Sequence, residues 1–174
     1  MTKTIYLAAG CFWGAQHYLK QIRGIVNTTT GFANGDDPEK NPTYEEVYTD
    51  QTGYAETVMV EYDPERLPLR KLLELYFMSI DPTSVNQQGE DSGTRYRTGI
   101  YYIDQADYPT IMEVYRNVQH GYSSPLAVEV EPLKVFHPAS EYHQDYLEKH
   151  PDGYCHLPEA LFEFARKSNA DNLY

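Results

Sequence analysis

The chain of 174 residues is 41% hydrophobic and carries a formal net charge of -12, which fits one domain with its own core and excludes general disorder. So strong a negative balance repels phosphate backbones and anionic lipid, so neither nucleic acid nor a membrane surface is expected as a partner. No apolar run nears the roughly 18 residues of a spanning helix.

Residues 4–8 are a short apolar run that predicts a buried strand ending at Gly10. Ala15, Leu19 and Ile22 then recur at helical spacing, which starts a helix at or just after Cys11. Residues 25–32, rich in Thr and Val, predict a second strand. The stretch 33–53 is dense in Gly, Pro, Asn and Asp and predicts a long surface loop, of a length that carries function or lacks order. Alternation over 54–63, with Val58, Val60 and Tyr62 on one face, predicts a third strand. Leu69, Leu72, Leu73, Tyr76, Phe77 and Ile80 mark the clearest amphipathic helix.

A second polar loop over 81–94 and a strand over 96–103 follow. Ile111, Val114, Tyr115 and Val118 predict a third helix, and residues 126–135 a last strand. From Ser140 onward the pattern is mixed helix and coil. There is no repeat and no linker, so a single domain over 1–174 is expected, with 158–174 as a C-terminal tail. Leu161, Phe162, Phe164 and Ala165 are spaced for a short docking helix in that tail. The expected fold is α+β, a two-layer sandwich of ferredoxin-like kind with helices packed on a mixed, mostly antiparallel sheet.

The two cysteines, Cys11 and Cys155, lie near opposite ends of the chain. The run from Ile5 to Ala9 is shorter than the apolar segment of about 7–15 residues in an export signal. A cytoplasmic location is therefore expected, where a permanent structural disulfide is rare. No CxxC occurs, which excludes the usual zinc spacing and a thioredoxin-like centre. A phosphatase loop needs an arginine where His17 stands, and six histidines leave no single base for a cysteine protease.

Cys11 lies at the predicted strand-to-helix junction, between Gly10 and Gly14. Unpaired N–H groups and partial positive charge at a helix N-terminus stabilise a thiolate. A free thiol of pKa about 8.5 is only about 3% ionised at pH 7, so such help matters. Phe12 and Trp13 would wall an apolar pocket beside the sulfur. The same residues suit plain core packing equally well, and on spacing alone both readings stand.

"GCFWG" at 10–14 closely resembles the signature of the A-type peptide methionine sulfoxide reductases, which act on the S epimer of methionine sulfoxide. Further matches follow in family order: "NPTYEEV" at 41–47, "TGYAETV" at 52–58, "DPTSVNQQGEDSGTRYRTGIYY" at 81–102 and "EYHQDYLEKHPDGYCH" at 141–156. The resemblance spans residues 3–157. It implies that Cys11 is the nucleophile and Glu56 the general acid, kept protonated by apolar surroundings. It also implies that Tyr44 and Tyr96 hold the sulfoxide oxygen, that Phe12 and Trp13 hold the substrate methyl group, and that Asp91 organises the pocket.

A sulfenic acid on Cys11 would then condense with Cys155, the sole internal partner. Thioredoxin, or dithiothreitol in vitro, would restore both thiols. No bound cofactor and no metal is expected. The implied substrates are oxidised proteins and free methionine sulfoxide, and the implied state is a monomer. The chain departs from many relatives at Tyr54, where they carry histidine, and at Asn34, where they carry glycine. Its tail lacks a third cysteine. A thiol peroxidase and a non-reducing binder of oxidised methionine are the alternatives.

Overall fold

The structure is a computed structural model that describes residues 1–168. The chain begins with β1 (Lys3–Ala9), α1 (Phe12–Lys20), β2 (Ile25–Ala33), α2 (Tyr44–Tyr48), β3 (Ala55–Tyr62) and α3 (Leu69–Met78). A small hairpin of β4 (Gln87–Gln88) and β5 (Asp91–Ser92), then a 3-10 turn over Thr94–Tyr96, precede β6 (Thr98–Tyr102). There follow α4 (Tyr108–Gln119), β7 (Glu129–Pro132), β8 (Phe136–Pro138), α5 (Tyr146–Lys149) and α6 (Glu159–Ser168).

Among the described residues six strands form one mixed sheet in the order β7-β6-β1-β3-β2-β8, antiparallel throughout except for β6 with β7. Side chains alternate between its faces. Ile5, Leu7, Val58, Val60, Tyr62 and Ile100 share the main core with the buried residues of α1, α3 and α4. Two buried tyrosines in that core find backbone acceptors, which favours burying a hydroxyl. Tyr18 donates to the Leu75 carbonyl at 2.6 Å and Tyr76 to the Ala8 carbonyl at 2.7 Å.

The opposite face is lined by Ala8, Ala33, Ala55 and Tyr101 under Leu133 and Phe136. Its cross-strand pairs are small, Ala8 with Gly99 and Ala33 with Ala55. Gly31 is required there, because a Cβ would lie 2.5 Å from the His137 carbonyl and nearer still to the Phe136 ring. Small residues on one face let the sheet bend toward it, and the sheet curls.

Closure of that curl corrects the predicted strand over 126–135. The segment pairs with β6 as β7, crosses three residues, and pairs with β2 at the other edge as β8. Asn34 fastens the crossing: its Oδ1 accepts the Lys134 and Val135 amides at 2.7 and 3.3 Å, and its Nδ2 donates to the Pro132 carbonyl at 3.2 Å. Its φ of 53° is left-handed, a conformation that asparagine tolerates.

Three further differences have local causes. The predicted loop over 33–53 contains α2, started by a capping box in which Thr43 Oγ1 accepts the Glu46 amide and Glu46 Oε1 the Thr43 amide, both at 3.1 Å. The strand expected from Tyr96 begins at Thr98, because Tyr96 ends the 3-10 turn. The expected docking helix in the tail is α6, which buries Phe162 and Ala165 against α1 and leaves Phe164 exposed. The tail's last residues, 169–174, lie outside the described ones. No helix among the described residues is long and apolar enough to cross a membrane.

Candidate active site

Cys11 is the N-cap residue of α1 and only 6% exposed. Gly10 turns the chain into the helix with φ +81°, and a Cβ there would lie 2.9 Å from Gln88 Cβ. Gln88 is itself fixed by hydrogen bonds with the backbone of Asp81, at 2.8 and 2.9 Å. The loop 81–94 is thereby held against the nucleophile's turn.

Glu56 follows Ala55 at the start of β3 and is 1% exposed. Its Oε1 accepts the Phe12 amide at 3.0 Å, so the carboxyl sits at the first turn of α1. Burial raises its pKa to about 8; the Phe12 N–H and Arg95 pull it down, while Asp91 and Asp50 push it up. At neutral pH the group is therefore predominantly a neutral acid.

The Cys11 thiol is also pushed up, by burial and then by the charge of Glu56. The Trp13 and Gly14 amides act the other way, as a helix N-terminus should. Their effect is outweighed, which corrects the expectation of a thiolate stabilised by the helix end: desolvation wins.

Tyr44 opens α2 and Tyr96 closes the 3-10 turn. Both hydroxyls are raised, by burial first and next by Glu56, and Cys11 also acts on both. The four groups thus lie in one electrostatic neighbourhood. Asp91, on β5, joins them: its charge acts on Cys11 and Glu56. Its Oδ2 is buried with no hydrogen-bond partner among the described residues.

Phe12 is fully buried against Phe32, Tyr44 and His143, at centroid distances of 5.5, 6.2 and 5.7 Å. Trp13 stacks on Tyr146 at 3.7 Å, and its Nε1 donates to His143 Nδ1 at 3.2 Å. His143 in turn stacks on Tyr44 at 4.2 Å. Burial lowers the His143 pKa, and a neutral ring is what lets Nδ1 accept the indole proton. His143 and Tyr146 carry no sequence signal that separates them from the other five histidines and 16 tyrosines. A cavity of about 410 Å³ opens on the Tyr44 and His143 side, bordered by Pro42 and Ser140.

Cys155 is half-buried, with its Sγ 3.4 Å from the Leu157 amide that donates to it. It lies against Gly14, where a Cβ would be 3.1 Å from its Sγ and 3.0 Å from His156 Nδ1. A Cβ at Gly10 would lie 3.3 Å from His156 Nε2. The His156 ring therefore spans from Gly10 to Gly14, beside Cys11. The Tyr154 hydroxyl, pushed up to about 12 by burial and then Asp91, faces Asp91. Residues 154–156 thus cover the nucleophile's turn, and both cysteines are free thiols. On its far side Cys155 borders a second cavity, of about 480 Å³, with His17 and Phe162.

The peptide methionine sulfoxide reductase family model matches residues 3–172. The peptide methionine sulfoxide reductase MsrA of Lachnoclostridium phytofermentans is 52% identical over 168 residues, 97% of this chain and 100% of that protein. Reduced Mxr1 of Saccharomyces cerevisiae superposes with a TM-score of 0.83 at 38% identity, covering 88% of each chain. Mxr1 in its complex with Trx2 superposes with a TM-score of 0.59 at 27% identity, covering 83% of this chain and 84% of that one. With the family model spanning nearly its whole length, this chain belongs to the peptide methionine sulfoxide reductase family, and to its A type.

Proposed function

We propose that the protein reduces methionine-(S)-sulfoxide, free and in proteins, to methionine at Cys11, and that thioredoxin recycles it. The observation that carries this reading is the buried Glu56 carboxyl, of pKa about 8, bonded to the amide that follows Cys11. A sulfoxide oxygen leaves sulfur only when protonated, and a neutral carboxylic acid beside the nucleophile supplies that proton at neutral pH.

Glu56 gives its proton to the oxygen as the Cys11 sulfur attacks, and the thiol proton returns to the emptied carboxylate. The oxygen ends on Cys11 as a sulfenic acid, and methionine is released. Tyr44 and Tyr96, hydroxyls firmly protonated, donate hydrogen bonds to the oxygen on its way. Phe12 and Trp13 receive the methyl group, and Asp91 orders the polar side. Cys155 then displaces hydroxyl from the Cys11 sulfur, forming a disulfide and water. Its place against Gly14 supports a short travel for that step, which needs Cα atoms within about 7 Å. A dithiol such as thioredoxin, the partner in the Mxr1 complex with Trx2, takes up the oxidising equivalents.

The remaining features follow from the same reading: a monomer with no resident cofactor, working in the cytoplasm, as one domain over 1–174. The order β1-α1-β2-β3-α3-β6, with β6-β1-β3-β2 side by side, supports a ferredoxin-like two-layer core inside the curled sheet.

The test is one turnover with each sulfoxide epimer, followed by mass spectrometry. Methionine from the S epimer with a Cys11–Cys155 link is expected. Equal use of both epimers, or full activity in Cys11→Ser, would overturn the reading.

A further inference from the structure

We propose that the Asp50–Arg95 ion pair is a positioning device that joins the elements carrying Tyr44 and Tyr96, and that its two halves move the upper pH limit of the reductase step in opposite directions. The proposal rests on the reading of Glu56 as the proton donor.

The geometry is built around one buried guanidinium. Arg95 Cζ lies 4.1 Å from the centroid of Tyr48 and 4.3 Å from that of Tyr96. Its Nη1 meets Asp50 Oδ2 at 2.5 Å, and Asp50 Oδ1 accepts the Arg95 amide at 3.0 Å and the Thr94 hydroxyl at 3.3 Å. Tyr48 ends the short helix that Tyr44 begins, and Asp50 lies in the turn just after it. A single planar cation therefore ties the Tyr44 helix to the Tyr96 turn. Only a flat, delocalised cation can stack on a ring and pair with a carboxylate at once, which is why arginine suits the place and lysine does not.

Backbone geometry agrees. Asp50 holds a left-handed φ of 61°, and Gly93 a φ of 135°. A Cβ at Gly93 would overlap the Asp50 carboxylate and come within 2.7 Å of Arg95 Nη1. The glycine leaves room for the pair.

The same pair bears on the proton donor. Glu56 is faced by the Phe12 amide from α1, by Cys11, by Tyr44 and Tyr96, by Asp91 from β5, and by Arg95 and Asp50. Of the charged groups around it, Arg95 favours the carboxylate, whereas Asp50 and Asp91 favour the acid. Removing one half of the pair must therefore move the donor in the direction opposite to removing the other half.

The experiment reads methionine release in a single turnover from pH 6 to 10, in a Cys155→Ser background so that only the reductase step is seen. In Arg95→Gln the alkaline limb is expected about half a pH unit or more higher, and in Asp50→Asn lower, by a smaller amount. Arg95→Lys, which keeps charge but loses stacking, should keep the limb and lose rate, separating placement of Tyr96 from the electrostatic effect. Thermal melting confirms that each variant is folded. Limbs that coincide with the parent's, or move the same way in Arg95→Gln and Asp50→Asn, would overturn the proposal. A Glu56→Gln control that keeps the parent rate would instead overturn the reading of Glu56 itself.

Discussion

The Phe12 amide donates to Glu56 Oε1 at 3.0 Å, so the proton donor is anchored to the first turn of the helix that the nucleophile caps. Two residues 44 positions apart in sequence are thereby held in register by one buried hydrogen bond. Glu56→Gln keeps the acceptor oxygen and the size but has no acidic proton. The reductase step should fall by roughly 10²–10⁴-fold, the range for loss of a general acid, with the fold retained. Single-turnover methionine release beside a melting curve checks both.

The pKa of about 8 fixes the sign of the pH dependence. The step needs the protonated carboxyl, so its rate should hold through neutral pH and fall above about 8. Stability moves too, because a carboxyl of about 4.3 in the unfolded chain becomes a weaker acid on folding. Such a group stabilises the fold fully below the unfolded value, and the contribution is lost as pH rises to about 8. Glu56→Gln, which never ionises, should therefore gain stability relative to the parent by at most about 1.4 kcal/mol per pH unit across that window. Melting temperatures of both proteins at pH 5 and pH 8 would show whether the gap grows.

Burial holds Cys11 as a thiol, whereas Cys155 is more open. Iodoacetamide at pH 7 should accordingly label Cys155 before Cys11. Peptide mapping after short exposure reads the order, and faster labelling of Cys11 would contradict it.

Cys155→Ser should release one methionine per enzyme and then stop with thioredoxin as reductant, leaving a dimedone-reactive sulfenic acid on Cys11. Dithiothreitol should restore turnover. Continued turnover with thioredoxin alone would show that the second thiol is dispensable.

Closure of the sheet can be tested far from the chemistry. Gly31→Ala drives a Cβ into the Phe136 ring and the His137 carbonyl, and overpacking of that kind costs about 1–3 kcal/mol. Urea titration should show the loss, while the folded fraction keeps its activity per molecule.

Periodicity made β1, β3 and α3 legible, because each shows its buried face within its own residues. The division of 126–138 between two edges was not, since it depends on Tyr102 and Asn34, which lie far away in sequence. Thr43 and Glu46 spelled a capping box inside a polar loop, but the five-residue helix behind it has too little periodicity to be read. In the site, Cys11, Glu56, Tyr44 and Tyr96 came from ordered motifs, not from spacing. His143 escaped because its partners, Trp13 and Tyr44, are remote in sequence. The acidity of Cys11 went against the helix-end argument because burial depends on the whole fold.

The crossing at 133–135 has a further consequence for a protein that handles damaged chains. Open β borders present unpaired N–H and C=O groups onto which another chain can pair. Here the two border strands are four and three residues long and run into one another through the same crossing. Little template is left there for another chain to zip onto.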